Sequence, residues 1–75
     1  MPTIVEIAGI KLQMFYGDHN PPHVHAYGGG HAALIRIDDG EFLAGSLPAG
    51  KRRWVRAWIA EHREELIALW QQYTM

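Results

Sequence analysis

The stretch KRRWVRAWIAEHREELIALWQQY, residues 51–73, contains neither glycine nor proline, although the chain holds eight glycines and four prolines. All twelve fall between Pro2 and Gly50. A run of 23 residues without a breaker has the length of a helix, and its apolar positions follow a helical period. At 100° per residue, Trp54, Trp58, Leu69, His62, Val55, Tyr73, Leu66, Ile59 and Trp70 share one broad face. Residues 51–73 therefore predict one long helix or two nearly collinear ones, with Trp58 and Leu66 largely buried. A straight helix of this length spans about 35 Å and would overhang a sheet of short strands, so a kink or a surface awaiting a partner is expected.

Upstream, the breakers cut the chain into short pieces that read as strands. Thr3–Ile7 is rich in β-branched residues, and Ile10, Leu12, Met14 and Tyr16 alternate with Lys11, Gln13 and Phe15. Ala8-Gly9 suits a tight turn between them. His23–Tyr27 and Ala32–Ile37 flank the Gly28-Gly29-Gly30 triplet, and Asp39-Gly40 predicts a two-residue hairpin into Glu41–Ala44. The fold class that follows is α+β: an antiparallel meander of four or five short strands over residues 1–47, with the helical part over 48–75 packed on it. At 75 residues the chain is one domain, with a small core for which oligomerisation is a natural support.

Composition excludes several classes of function. With no cysteine there is no disulfide, thiolate metal site or cysteine nucleophile. Eight aromatic residues are too many for a disordered chain. No apolar run approaches a membrane span, and no basic-then-apolar leader opens the chain, so a cytoplasmic protein is expected. The net charge of −1 argues against an avid non-specific nucleic-acid binder.

The chemistry concentrates in Asp18-His19-Asn20-Pro21-Pro22-His23-Val24-His25. Four of the five histidines (His19, His23, His25 and His31) lie within 13 residues. Two prolines stiffen the turn, and strand alternation puts His23 and His25 on one face. His31 joins that face if the glycine loop has three residues and leaves it if the loop has two. Asp18, His19, His23 and His25 offer oxygen and nitrogen ligands to a divalent transition metal such as zinc, nickel, copper or iron. The same imidazoles suit acid–base catalysis, including metal-free RNA cleavage, with His19, His23 and His25 as candidates. A structural role is the plainer alternative: Asp18 or Asn20 caps the turn, and the rings stack on Tyr16 and Tyr27.

A second feature is basic. Arg52, Arg56 and Arg63 form a narrow stripe along one side of the helical stretch, with Lys51 and Arg53 next to Arg52 in the chain, and no opposite charge lies at i+3 or i+4. Lys51, Arg52 and Arg53 also fall in the first turn, where the helix dipole disfavours cations. The stripe predicts either compensation by Asp38, Asp39 and Glu41 or a contact with an acidic protein partner or RNA.

Three segments carry a resemblance: Met1-Pro2-Thr3-Ile4, Phe15-Tyr16-Gly17-Asp18-His19-Asn20-Pro21-Pro22-His23-Val24-His25, and Trp58-Ile59-Ala60-Glu61-His62-Arg63-Glu64-Glu65-Leu66. Together they resemble a family of small bacterial proteins catalogued as a domain of unknown function, with the signature Asp-His-x-Pro-Pro-His-x-His. The likeness extends over nearly the whole chain and shows no departure from the pattern. Genes of that family often neighbour another small uncharacterised protein, in pairs labelled toxin–antitoxin modules. The resemblance thus implies a small cognate protein partner, and brings no reaction with it.

Overall fold

The turn residues close the hairpins of a five-stranded antiparallel sheet in the computed structural model, which describes residues 3–15 and 17–74. Strands β1 (Thr3–Ile7), β2 (Ile10–Gln13), β3 (His23–Gly28), β4 (His31–Arg36) and β5 (Phe42–Gly45) lie side by side in chain order. Helices α1 (Ala49–Glu61) and α2 (Arg63–Thr74) follow, giving the expected α+β arrangement. Met1, Pro2 and Tyr16, which enter the sequence argument, lie outside the described residues.

Alternation sorts the sheet into two faces. Ile10, Leu12, Met14, Val24, Ala26, Ala33, Ile35 and Ile37 are buried and join Leu47, Val55, Ile59, Leu66 and Trp70 in one core. The helices thus cover this face. On the other face, the register aligns Gln13, His25, Leu34 and Ala44 in one row and Lys11, Tyr27 and Ala32 in the next. These side chains remain half-buried or exposed.

The glycine triplet resolves in favour of the shorter loop. Gly28 pairs with His31, leaving Gly29 and Gly30 as a two-residue turn with φ of 54° and 79°. Positive φ at both positions is the type I′ geometry that matches strand twist. His31 therefore shares the side of Val24 and Ala26 and turns away from His25.

The Asp39-Gly40 turn corrects the expectation of a two-residue hairpin. Strand β4 ends at Arg36 and β5 starts only at Phe42. Within the loop the Arg36 amide donates to the Glu41 carbonyl, and the Gly40 amide donates to the Arg36 carbonyl. The Asp39 carboxylate accepts the Glu41 amide at 3.0 Å and, together with Glu41, grips the Arg36 guanidinium. The Arg36 hydrogen bond holds the Asp39 carboxyl at about 2, below its ordinary 3.8. Its stabilising effect is present above 3.8 and lost as pH falls through about 2. An NMR titration of the Asp39 carboxyl should show that low midpoint, and Arg36→Ala should return it towards 3.8. A wild-type midpoint already at 3.8 would deny the pairing.

The helical half is divided. Pro48 precedes α1 without a side-chain cap, so the helix starts slightly before residue 51 and takes Gly50 into its first turn. At His62 the backbone leaves helical geometry, with φ −112° and ψ 20°. The His62 amide is shared between the Trp58 and Ile59 carbonyls, and its ring Nδ1–H also donates to Trp58 at 2.9 Å. The buried residues run Val55 and Ile59 in α1, then Leu66 and Trp70 in α2. Trp58 is only half-buried, which corrects its expected place at the centre of the apolar face. It lies one position, or 100°, from Ile59, and its ring stacks on His62 at 4.1 Å.

Candidate metal centre

Strand alternation gives His23 and His25 the same parity, and the preceding loop brings Asp18 to both. The His23 Nε2 and His25 Nε2 atoms each lie 3.0 Å from the same oxygen, Asp18 Oδ2. The two rings are 5.2 Å apart. One ligand atom from each of Asp18, His23 and His25 falls within 4.8 Å of the others. Metal–ligand bonds of about 2.1 Å meeting at about 90° set donor atoms about 3 Å apart, so the 3.0 Å spacings to Asp18 suit adjacent coordination positions. Two histidines and one carboxylate that leave other positions open form a ligand set used by transition metals.

The surroundings fix the rings. His23 Nδ1 lies 2.7 Å from the Pro21 carbonyl, which can only accept, so Nδ1 carries the proton. In the neutral ring Nε2 then presents a lone pair to an anionic oxygen, and that contact requires a positive charge. A metal ion at Nε2 would supply it. A ring N–H donated to a backbone carbonyl is also the usual outer support of a metal-ligating histidine. The prolines thus serve the site through the Pro21 carbonyl as well as through stiffness; the Asn20–Pro21 bond is cis.

His23 is buried at 5% exposure, with its ring 5.2 Å from that of Trp70. The Gly17 amide donates to the Tyr73 carbonyl at 2.9 Å, tying the loop to the end of α2. His25 meets the edge of Phe15 at 4.3 Å and lies parallel to Tyr27 at 6.3 Å. Burial raises the Asp18 carboxyl pKa, but the His25 hydrogen bond, the His19 amide and the charges of His23 and His25 together lower it below the ordinary value. Asp18 is therefore held as a carboxylate, the form a metal ligand needs.

His19 stands apart. Its side chain is 93% exposed, its Nδ1 is 3.6 Å from Asp18 Oδ1, and its ring centroid is 6.4 Å from that of His23. Its fixed contribution is the backbone amide, which donates to Asp18 Oδ1 at 3.1 Å. The structure thus gathers three of the four residues Asp18, His19, His23 and His25, and leaves the fourth ring at the rim. Phe15, Trp70 and Pro21 support the site and are not among the sequence-derived site residues. Gln13 pairs with His25, so the alternation Lys11, Gln13, Phe15 already carried the signal for Phe15.

The expected compensation of the basic stripe by Asp38, Asp39 and Glu41 is not made among the described residues. Asp39 and Glu41 are held by Arg36 and not by the helix. Lys51 donates to the Ala8 carbonyl, Arg63 donates to the Ile37 carbonyl, and the Arg52 guanidinium sits 4.8 Å over the Phe42 ring. Arg56 runs alongside Gly40. Among the described residues no ion pair engages Arg52, Arg53 or Arg56.

With this geometry in place, comparison with family models places the chain in a class. The model described as "Domain of unknown function (DUF4160)" matches residues 9–71, and the chain belongs to that family. Comparison with curated proteins and with solved structures gives no match. No helix among the described residues is long and apolar enough to cross a membrane.

Proposed function

We propose that this protein is a divalent transition-metal protein whose ion is held by Asp18, His23 and His25. The observation that supports the reading best is the approach of two Nε2 atoms to one carboxylate oxygen at 3.0 Å, while His23 Nδ1 is committed to a backbone carbonyl. Three protein ligands leave open positions, where a bound ion would polarise a water or a ligand oxygen. That fits a metal-assisted hydrolase, with the exposed His19 ring at the rim to exchange protons. The metal-free RNA-cleavage reading finds less support, because the cation opposite His23 in the register, Arg36, is occupied by Asp39 and Glu41. Titration of the purified protein with zinc or nickel should give one bound ion per chain and a melting temperature that rises with metal concentration. His23→Ala should abolish both effects, whereas His19→Ala should retain binding. No rise in the wild type would defeat the reading.

A second reading, as one member of a toxin–antitoxin type pair, is favoured by the cations of α1. Arg52, Arg53 and Arg56 find no carboxylate partner within the described fold, and an acidic partner would supply one. Joint neutralisation as Arg53→Gln and Arg56→Gln should weaken capture of the protein encoded by the neighbouring gene while leaving the melting temperature nearly unchanged. Exposed charges of this kind contribute at most about 1 kcal/mol to the fold. A loss of stability without a change in capture would return the stripe to an intramolecular role.

A further inference from the structure

The outer face of the sheet carries a shallow hollow immediately beside the metal centre, and His25 belongs to both. Besides His25, it is lined by Tyr27, Ala32, Ala33, Leu34, Ala44 and Gly45. Strand positions ordinarily favour β-branched and aromatic residues. Alanine and glycine here keep the surface low and leave room for a flat group. The hollow measures about 220 Å³. A closed apolar cavity of about 150 Å³ accepts benzene, and drug-sized molecules need roughly 300–1,000 Å³, so one ring is the matching size. No aspartate, glutamate, lysine or arginine lines it.

Charge defines the other end of the ligand. A divalent ion with one carboxylate and two neutral imidazoles retains a net positive charge, which favours an anionic oxygen in an open position. We propose that the Asp18–His23–His25 centre and this hollow together bind an oxyanion that bears a single planar ring, the oxygen on the metal and the ring against Tyr27 and Leu34. The proposal rests on the metal reading above. Ring-bearing oxyanions come from two sources, pyrimidine nucleotides and free aryl acids, and both share this chemistry.

The test is calorimetric, on full-length protein loaded with one equivalent of zinc. Phenyl phosphate should bind at least tenfold more tightly than inorganic phosphate. Ala44→Leu, which fills the hollow, should remove that preference while leaving zinc affinity and inorganic phosphate affinity unchanged. Ala32→Leu provides the same control should the first variant fold poorly. Uridine 5′-monophosphate binding more tightly than phenyl phosphate would support the proposal with a nucleotide as the source, and the reverse order would support it with an aryl acid. Equal affinities for phenyl phosphate and inorganic phosphate on zinc-loaded protein would overturn this inference and leave the metal site standing. Failure to bind zinc at all would overturn both.

Discussion

Ile59→Ala is expected to remove about half of the stability of this domain. Ile59 has no exposure and sits in α1 between Val55, one turn earlier, and Leu66 beyond the His62 break. Truncating a buried isoleucine costs about 2–5 kcal/mol, while a chain of this size is stable by only about 4–11 kcal/mol. Thermal melts by circular dichroism should show a fall of 10 °C or more, on the order of 4–8 °C for each kcal/mol. Trp58→Ala makes the informative contrast. Its larger side chain is half-exposed and stacks on His62, so its loss should cost less and preserve the cooperative melt. If Trp58→Ala proved the more damaging of the two, the helix would have to pack by a different face.

The second large effect is expected at Gly45, where β5 ends. Its φ is 72°, which a residue with Cβ adopts only under strain. A Cβ built there would collide with the Ala32 carbonyl oxygen and lie 2.9 Å from Ala33 Cα, so the obstruction is backbone and not a side chain that can swing aside. Ala33 pairs with Gly45 in the register, and Ser46 donates to the Ala32 carbonyl at 3.2 Å. Gly45→Ala should therefore cost on the order of 2–4 kcal/mol, through strain at a positive φ and the displaced ladder. Hydrogen exchange should become faster in β5 first, since an edge strand can detach with little effect on the others. Unchanged protection along β4 and β5 would mean that the strand pairs in another way.

These two positions also mark how far the sequence carried the fold. The meander was legible because turn residues punctuate it, with Gly9, Gly29 and Gly30 at positive φ, although Ala8 also takes a positive φ that its residue type disfavours. The helical half was legible because residues 51–73 lack any breaker. What failed depended on tertiary partners. Asp39-Gly40 reads locally as a two-residue hairpin, yet the Asp39 carboxylate is drawn to Arg36 and the Glu41 amide, and the loop lengthens around that cluster. The break at His62 involves neither glycine nor proline; it accompanies an imidazole that hydrogen-bonds to the Trp58 carbonyl. That break also separates the buried residues into two short sets, and an unbroken helical wheel places Trp58 too centrally.

The site divides along the same line. His23 and His25 were legible as a pair because alternation is a backbone property. His31 was not, since three consecutive glycines permit two registers that differ by one residue, and one residue reverses the face. Asp18 was one ligand among several candidates in the sequence, and the loop fold makes it the point on which both imidazoles converge. His19 sits beside it in the chain but its side chain projects outwards; its backbone amide donates to Asp18 at 3.1 Å, while its ring reaches only to 3.6 Å.

The central claim is that Asp18, His23 and His25 hold one metal ion, and X-ray absorption at the zinc edge of the 1:1 complex addresses it most directly. A nearest shell of nitrogen and oxygen at about 2.0–2.2 Å is expected, with outer-shell scattering from two imidazole rings that falls to one ring in His25→Ala. A shell of oxygen alone, or an imidazole signal unchanged in both His23→Ala and His25→Ala, would contradict it.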